Sequence, residues 1–439
     1  MLKTMKKRVK SAMMVTFAAA MTFSFTLDAS AANQLDTNSS TYRTVTEIED
    51  WGAAITKVIV DLNTPIPQNS VTKDTFNVHV KRSDDRLANP FLEEGNRKVT
   101  KAYVSDANGN PAVRGKYVVL EMEIGPTVTL GSALNYYRFN DWVDSEYTIT
   151  QVKDIVYNSG KISGLVVTSS DGGTRELVDD FSSGSFTHED TTLTYANYEP
   201  QKTKGQEKNP LVIWLHGGGE GGTDTTIPLS ANKATAFASE EIQAYFDGAH
   251  VLAPQTPTRW MQGVTGSADG TSIYQEALMA LIEDYVANHK DVDPDRIYIG
   301  GASNGGYMTM LMVRDYPGYF AAAYPVCEGL NDSLISDDDI QALKQTPIWF
   351  VHAKNDTTLR PEQNTIPTYN RLLDAGATNV HLSLFDDVRD TSGLYKNADG
   401  TPYQYPGHWS WIYVYNNVPT TMIDGKTTTI MEWMAAQSK

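Results

Sequence analysis

The stretch Gly301-Ala302-Ser303-Asn304-Gly305 matches the pattern G-x-S-x-G. It comes directly after a strand-like run at 296–299 and directly before a helix-like run at 307–311. A serine at the tip of such a sharp strand-to-helix turn has a strained backbone, and side chains at the two outer positions would clash there. The expected number of chance matches to this pattern in a chain of this length is about 0.15. Requiring a strand before it and a helix after it lowers that number further. The stretch therefore predicts a nucleophile elbow with Ser303 as the nucleophile.

A glycine cluster upstream supports this interpretation. The apolar run 211–215 is typical of a strand buried on both faces of a parallel sheet, and His216-Gly217-Gly218-Gly219 follows it directly. An H-G-G-G loop lets backbone N–H groups approach a developing negative charge. We expect the N–H groups of Gly218 and Asn304 to form an oxyanion hole. The alternatives are a flexible loop or a phosphate-binding turn, although the Gly-Lys-Ser/Thr ending of a P-loop is absent.

A nucleophilic serine needs a general base and an acid that orients the base, and both follow downstream in that chain order. Asp356 lies in the loop after a buried-strand pattern, where catalytic groups of open α/β sheets collect. His408 is the histidine that follows this acid in a loop, so we predict it as the base. Asp386 and Asp387 are the competing acids. His352 closes the strand before Asp356, which fits a supporting role better than proton transfer.

The two parts of the chain differ in their hydrophobic patterns. Residues 41–151 contain short β-branched and aromatic runs separated by turn residues, a pattern typical of an immunoglobulin-like β-sandwich. Strands and helices alternate after about residue 186, which predicts a mostly parallel sheet with right-handed crossovers. We predict a signal peptide at 1–31, the sandwich at 38–155, connecting β segments at 156–185 and the α/β domain at 186–439.

The motifs together resemble the secreted esterase branch of the α/β-hydrolases. They are His216–Gly219, Asp293–Gly306, His352–Asp356 and Gly407–Trp411, and the resemblance covers roughly the last 250 residues. This branch includes enzymes similar to polyhydroxybutyrate depolymerases and feruloyl esterases, and it shades into prolyl-oligopeptidase-type hydrolases. The resemblance implies an α/β-hydrolase fold, and an immunoglobulin-like domain precedes some of these esterases. His352-Ala353 departs from the His-Gly of many relatives but leaves the acid in register.

The first residues and the charge predict a secreted protein. Five basic residues, an apolar stretch and Ala29-Ser30-Ala31 have the order of a signal peptide, which we expect to be cleaved after Ala31. Cleavage changes the net charge from -17 to -21, since 31 basic and 52 acidic residues remain. Such a charge disfavours nucleic acid and anionic membranes as partners. Cys327 is the single cysteine, so an internal disulfide is impossible.

These features predict a serine carboxylesterase that hydrolyses short-chain acyl or aryl esters through an acyl-enzyme on Ser303. We expect neither a cofactor nor a metal; a calcium ion at 337–339 is the weaker alternative to a solvated helix start. Aromatic residues near the predicted site, Trp260, Tyr307 and Trp409, are candidate substrate contacts, although each could instead belong to the core. The long connection 386–405 is a candidate lid or rim.

Several alternatives stay open at this point. A polyester depolymerase or a feruloyl esterase fits the same motifs, with a polymeric ester in place of a small one. A prolyl-oligopeptidase-type peptidase fits less well because the chain has no propeller-length domain before the hydrolase. A non-catalytic surface-binding protein would not need Ser303, Asp356 and His408 together. The sequence leaves open the natural ester, the oligomeric state and whether the sandwich binds a ligand or only braces the hydrolase.

Overall fold

A computed structural model describes residues 40–158, 160–201 and 208–439. The predicted signal peptide, residues 1–31, lies outside the described residues. Within the described ranges, no helix is long and apolar enough to span a membrane.

The N-terminal part is a β-sandwich, as its short alternating strands predict. One sheet has the strand order β13-β1-β2-β6-β5, the other has the order β12-β9-β3-β4, and β7-β8 and β10-β11 are separate hairpins. The strands are β1 (Thr41–Glu49), β2 (Gly52–Pro67), β3 (Phe76–Ser83), β4 (Phe91–Arg97), β5 (Val99–Ser105), β6 (Arg114–Met122), β7 (Leu134–Tyr137), β8 (Phe139–Trp142), β9 (Asp144–Gln151), β10 (Ile155–Tyr157), β11 (Gly160–Ile162), β12 (Val166–Val167) and β13 (Ser170–Arg175).

The two sheets of the sandwich pack face to face around one core. In β3 the buried residues alternate with exposed or half-buried ones, because successive side chains of a strand point to opposite faces. Val78 and Val80 of this strand meet Val58, Val60 and Val118 of the other sheet in a single apolar cluster.

The second part contains an eight-stranded sheet with the order β14-β15-β17-β16-β18-β19-β20-β21. The strands from β17 to β21 in this order are parallel to their neighbours, and β15 and β14 run antiparallel at one edge. The strands are β14 (Ser182–His188), β15 (Thr191–Tyr198), β16 (Asn209–Leu215), β17 (His250–Gln255), β18 (Val292–Ala302), β19 (Ala322–Val326), β20 (Ile348–Ala353) and β21 (Val380–Phe385).

Helices cover both faces of this sheet. They are α1 (Thr226–Ala231), α2 (Glu240–Phe246), α3 (Gln275–Asn288), α4 (Asn304–Asp315), α5 (Asp337–Leu343), α6 (Thr365–Asp374), α7 (Trp411–Tyr415) and α8 (Ile430–Ala435). Two short hairpins complete the chain, β22 (Val388–Arg389) with β23 (Gln404–Tyr405) and β24 (Thr420–Ile423) with β25 (Lys426–Thr429).

The layering explains the continuous apolar run in β16. Val212 and Trp214 point into the core shared with α2, α7 and α8, whereas Leu211, Ile213 and Leu215 point into the core shared with α3 and α4. Every side chain of the strand is therefore buried, which gives a run without polar interruptions.

The border between the two parts lies within the predicted connecting segment. β13 of this segment pairs with β1 of the sandwich, and β14 begins at Ser182, four residues before the predicted start of the hydrolase. β14 pairs along its length with β15, which ties it to the eight-stranded sheet. The exact domain boundaries at 155, 185 and 186 remain predictions.

Candidate active site

Ser303 occupies a strained turn between β18 and α4. Its φ of 58° and ψ of -110° lie in a region that residues with side chains rarely adopt. The flanking glycines have a steric reason. A Cβ atom on Gly305 would overlap the carbonyl group of Leu215 in the neighbouring strand, and one on Gly301 would lie 2.8 Å from the Gly305 carbonyl carbon. The G-x-S-x-G pattern therefore reflects close backbone contacts around the serine.

Asp356 and His408 form a hydrogen-bonded pair. The Nδ1 atom of His408 lies 2.7 Å from Oδ2 of Asp356. The other carboxylate oxygen, Oδ1, accepts hydrogen bonds from the backbone N–H groups of Thr358 at 2.8 Å and Leu359 at 3.0 Å. Burial alone would raise the pKa of Asp356, but hydrogen bonds from His352 and His408 outweigh burial and hold this pKa well below its usual range. The acid is thus ionised and oriented toward His408.

His408 lies in a single 3₁₀ turn, Gly407–Trp409, directly before α7. The glycine beside the histidine is required sterically, because a Cβ atom on Gly407 would lie 2.7 Å from backbone atoms of Asn355. The turn that carries the predicted base therefore packs directly on the loop that carries the predicted acid.

A cavity of about 570 Å³ brings four of the predicted site residues together. Ser303, His408, Trp409 and Gly218 all line it. The sandwich supplies much of the opposite wall, from Asp50, Trp51, Gly52, Ala53, Ser132, Leu134, Tyr136 and Asn140. The candidate site is therefore a cleft between the two parts of the chain, with the elbow on one wall.

The glycine loop, residues 216–222, is held by its carbonyl groups. The carbonyl of Gly218 accepts a hydrogen bond from Nε of Arg259 at 3.0 Å, and that of Gly219 accepts one from the backbone N–H of Asn140 at 2.7 Å. The N–H of Gly217 donates to Oδ1 of Asn232 at 3.3 Å. By contrast, the N–H groups of Gly218 and Asn304 have no acceptor among the residues that the structure describes. Two unpaired amides beside the serine suit the predicted oxyanion hole.

Glu220 is a member of the site that the sequence analysis did not identify. Its carboxyl is buried in the cavity wall, where Oε1 accepts a hydrogen bond from Nδ2 of Asn140 at 2.8 Å. Burial raises the pKa of Glu220 to about 7, against the opposing effect of the bond from Asn140. One signal was available, since Glu220 is the only carboxylate within the glycine loop. Asn140 has no such signal because it lies 80 positions away in the chain.

Two predicted substrate contacts are wrong. Trp260 is completely buried and packs against the rings of His216 and Tyr274, with centroids 5.2 Å and 6.3 Å away. Tyr307 is also completely buried, and its hydroxyl donates to the carbonyl of Thr271 at 2.8 Å. Both side chains are part of the core behind the cavity, so neither can touch a substrate.

Trp409 does line the cavity, where its ring stacks between those of Tyr405 and Trp411 with centroids 6.0 Å away on each side. The segment 386–405 lies behind this wall: Tyr395 contacts Trp51 edge to face, with centroids 4.7 Å apart. Whether the segment moves as a lid remains a prediction.

Comparisons with known proteins agree with this architecture. The family model for the esterase immunoglobulin-like N-terminal domain matches residues 41–164, and that for the prolyl oligopeptidase family matches residues 265–339. A solved structure described as a thermostable esterase is 25% identical, with a TM-score of 0.75, and the match covers 91% of this chain and all of that one.

A curated relative, the poly(3-hydroxyalkanoate) depolymerase C of Paucimonas lemoignei, is 28% identical over 239 residues. The match covers 44% of this chain, and the chain spans about half the length of that relative, 51%. Together the comparisons confirm the predicted fold class, an α/β-hydrolase preceded by an immunoglobulin-like domain, and the resemblance to esterases. They also agree with the predicted class of enzyme, a serine hydrolase.

Proposed function

We propose that this chain is a serine carboxylesterase that hydrolyses short-chain acyl or aryl esters through an acyl-enzyme on Ser303. One observation carries the proposal: Ser303, on its strained elbow, opens into the same cavity as His408, whose Nδ1 atom is paired with Asp356. A nucleophile, a base and an acid in this arrangement are the parts that acyl transfer needs. The esterase relatives support the assignment of esters as the substrate class.

In the proposed acylation step, Ser303 Oγ attacks the ester carbonyl carbon while His408 removes the hydroxyl proton. The Nδ1 atom of His408 is engaged with Asp356, so its Nε2 atom is the one that takes the proton. The ionised Asp356 stabilises the imidazolium that forms. The unpaired amides of Gly218 and Asn304 bind the oxyanion, and each such donor lowers the barrier by roughly 3 kcal/mol. His408 then returns the proton to the leaving alcohol.

The second step releases the acid. Water enters the position of the departed alcohol, His408 removes its proton, and the resulting attack on the acyl-enzyme forms a second oxyanion in the same hole. Collapse of this intermediate restores the Ser303 hydroxyl. All proton transfers use one histidine, which is why its tautomer and its bond to Asp356 matter for both steps.

The cavity suggests a small ester. Its volume of about 570 Å³ is in the range of pockets for small molecules, and Trp51, Tyr136 and Trp409 give it aromatic walls that suit short acyl or aryl groups. Eight of the 20 residues that line the cavity belong to the immunoglobulin-like domain, so we propose that this domain shapes the approach to the site. The segment 386–405, which supports Trp51, would act as a rim or lid of the same entrance.

A polyester depolymerase is the second candidate. The depolymerase from Paucimonas lemoignei supports it, and so do two exposed tyrosines in the β7-β8 hairpin, of which Tyr136 also lines the cavity. Tyr136 is 61% exposed and Tyr137 is 43% exposed, which would allow both rings to lie against a chain that is too large to enter. A feruloyl esterase is a third form of the same chemistry, since the aromatic walls would also hold a phenolic acyl group.

We further propose that the protein is secreted, through the signal peptide predicted at 1–31. The basic start, the apolar stretch and the small residues before position 32 support this. The acidic balance of the remaining chain disfavours nucleic acid and anionic membranes as partners.

The test is the initial rate of hydrolysis of p-nitrophenyl esters from acetate to palmitate, with Ser303→Ala as the control. We expect activity that depends on Ser303 and falls steeply beyond butyrate. Equal rates on the long esters, together with release of soluble acids from a poly(3-hydroxybutyrate) suspension, would favour the depolymerase instead. No Ser303-dependent hydrolysis of any ester would refute the proposal and favour the peptidase or the non-catalytic alternative.

A further inference from the structure

A series of hydrogen bonds continues from His408 past Asp356 into the protein interior. Oδ2 of Asp356, which is 2.7 Å from His408 Nδ1, is also 3.1 Å from Nε2 of His352. The other ring nitrogen of His352, Nδ1, lies 2.9 Å from Oγ1 of Thr365, and this hydroxyl lies 3.0 Å from Oε1 of Glu328. His352, Thr365 and Glu328 are buried. The acid of the site is therefore one end of a buried chain that reaches a second carboxyl.

The surroundings of His352 determine part of its proton placement. Its Nε2 atom faces two acceptors, Oδ2 of Asp356 and the carbonyl of Leu359 at 2.9 Å. Neither acceptor can donate, because Asp356 is ionised, so Nε2 carries a hydrogen. The Nδ1 atom then either accepts from the hydroxyl of Thr365 in a neutral imidazole or donates to it in an imidazolium.

Glu328 decides between these two arrangements. Its Oε2 atom accepts from the backbone N–H of Leu330 at 2.7 Å, and Oε1 faces Thr365. Burial raises the pKa of Glu328 to about 8, so the carboxyl carries a proton at neutral pH. An ionised Glu328 accepts from the hydroxyl of Thr365, whereas a protonated Glu328 can donate to it. In the protonated case the hydroxyl of Thr365 is free to donate to His352 Nδ1, and His352 Nε2 donates to Asp356. Every donor in this arrangement points toward Asp356.

We propose that Glu328, Thr365 and His352 are positioning residues that act as one unit: Glu328, through Thr365, orients the ring of His352, which holds Asp356 in register with His408. The part of this inference that concerns catalysis rests on the proposed function. The series of hydrogen bonds does not, since its distances follow from the geometry alone.

Loss of the Glu328 proton would break the chain. An ionised Glu328 accepts a hydrogen bond from the hydroxyl of Thr365, which can then no longer donate to His352. The lone pairs of Thr365 Oγ1 and of a neutral His352 Nδ1 would face each other. The titratable groups that face Glu328 from neighbouring elements are Asp332 in the following loop, the buried thiol of Cys327 beside it in the chain, and His352 across Thr365.

Asp332 adds to the effect of burial on the pKa of Glu328, and Asp332 is itself paired with Arg371 of α6 at 3.0 Å. Gly306 of helix α4 packs closely on Glu328, since a Cβ atom on this glycine would lie 2.8 Å from Cα of Glu328. The neutral form of Glu328 is therefore the one that the packing favours.

The series of hydrogen bonds can be interrupted by removing the hydroxyl of Thr365, and Thr368 in the same helix provides a matched control. Thr365→Val removes the link, and we expect kcat to fall at least about fivefold, because a buried ring nitrogen loses its partner. Thr368→Val is the control: Thr368 is buried one turn along α6, but its hydroxyl donates to Asp332 Oδ1 at 2.9 Å, outside the chain. Thr365→Ser, which keeps the hydroxyl, should restore kcat. Equal kcat for the two valine variants would overturn the proposal.

The pH dependence supplies a second readout. Glu328→Gln keeps a neutral side chain whose amide can donate to Thr365 while its oxygen accepts from Leu330. We expect this variant to keep the wild-type kcat at about pH 7. Above about pH 8 the wild type should lose kcat as Glu328 ionises, whereas the glutamine variant should retain it. Superimposable alkaline limbs for the two proteins would contradict the role of Glu328.

Nitrogen-15 NMR of the histidine side chains tests the chain without any substrate. We expect His352 to be the neutral Nε2–H tautomer in the wild type and in Glu328→Gln, and to lose this single tautomer in Thr365→Val. The downfield proton of His408 Nδ1–H, which reports the bond to Asp356, should weaken only in Thr365→Val. An Nδ1–H tautomer of His352 in the wild type would refute the inference. If no ester is hydrolysed, the proposed function fails. These spectra would still show whether Glu328, Thr365 and His352 form the proposed hydrogen bonds to Asp356.

Discussion

Asn140 of the immunoglobulin-like domain makes hydrogen bonds to the glycine loop, and its replacement by alanine tests whether this contact matters for catalysis. The side-chain amide donates to the buried carboxyl of Glu220 at 2.8 Å, and the backbone N–H donates separately to Gly219 at 2.7 Å. Asn140→Ala removes only the first of these bonds. Removing a donor from a buried carboxyl costs about 1–3 kcal/mol, and the lower end applies because backbone groups of Gly217 and Gly219 also bond to Glu220. The pKa of Glu220 should then rise further above about 7, because the amide of Asn140 favours its ionised form.

Only part of this cost should appear in the rate. The glycine loop keeps its bonds to the Asn140 backbone and to Arg259, Asn232 and Gln255, so its displacement will be small. We assign about 1 kcal/mol to the oxyanion hole, which corresponds to a roughly fivefold loss of kcat/KM. The remainder should lower the melting temperature. The assay is hydrolysis of p-nitrophenyl butyrate together with thermal unfolding followed by circular dichroism.

Asn135→Ala is the matched control for this prediction. Asn135 lies in the same hairpin, and its amide donates to Asp84 at 2.8 Å, entirely within the immunoglobulin-like domain. We expect this variant to lose stability but to keep the wild-type kcat/KM. Equal losses of kcat/KM in both variants would show that the hairpin acts only through general stability. Full activity of Asn140→Ala would show that the contact does not position the loop.

Four further outcomes are expected. Asp356→Asn should lower kcat about 10³–10⁴-fold, because His408 loses the partner that sets its tautomer. Gly305→Ala should destabilise the fold by about 3 kcal/mol, because its Cβ would overlap the backbone of β16. Trp409→Ala should raise KM for p-nitrophenyl butyrate about tenfold, through lost apolar contact. The advantage of Glu328→Gln in melting temperature over the wild type should grow between about pH 5 and pH 9, because the stabilisation from a raised pKa is lost as pH passes about 8.

Each of these four predictions would be contradicted by a specific result. Gly266→Ala is the control for the elbow glycine, since its Cβ would meet nothing within 4 Å, and equal losses of stability would refute the steric argument. An Asp356→Asn enzyme with near-normal kcat would move the acid role to another carboxylate. An unchanged KM in Trp409→Ala would exclude its ring as a substrate contact. A difference in melting temperature that does not vary with pH would mean that Glu328 is not protonated in the folded state.

The parts of the site that the sequence predicted are those with local causes. The glycines around Ser303 are required by contacts with β16, and Gly407 is required by contact with Asn355. The geometry of both turns can therefore be predicted from their residues. The order nucleophile, acid and base along the chain then led to Asp356 and His408, which the structure places in hydrogen-bond contact. The fold followed from the same kind of local signal, namely fully apolar runs for the parallel strands and alternating ones for the sandwich.

The wrong or missing parts depend on tertiary contacts. Tyr307 lies four residues after Ser303, but the helix turns its ring away from the cavity toward Thr271, and sequence distance does not reveal which face a helix presents. Trp260 has no periodic pattern around it that separates core from cavity. Asn140 belongs to the other domain, and its contact with Glu220 depends on how the two domains pack. Such contacts leave no local pattern to detect.

The most direct test of the central claim is to trap the acyl-enzyme. The protein is mixed with p-nitrophenyl butyrate, quenched in acid within milliseconds and measured by intact mass and peptide mapping. Our account predicts one butyryl group, attached to Ser303, in the wild type and none in Ser303→Ala. A butyryl group on another residue, or hydrolysis that persists in Ser303→Ala, would contradict it.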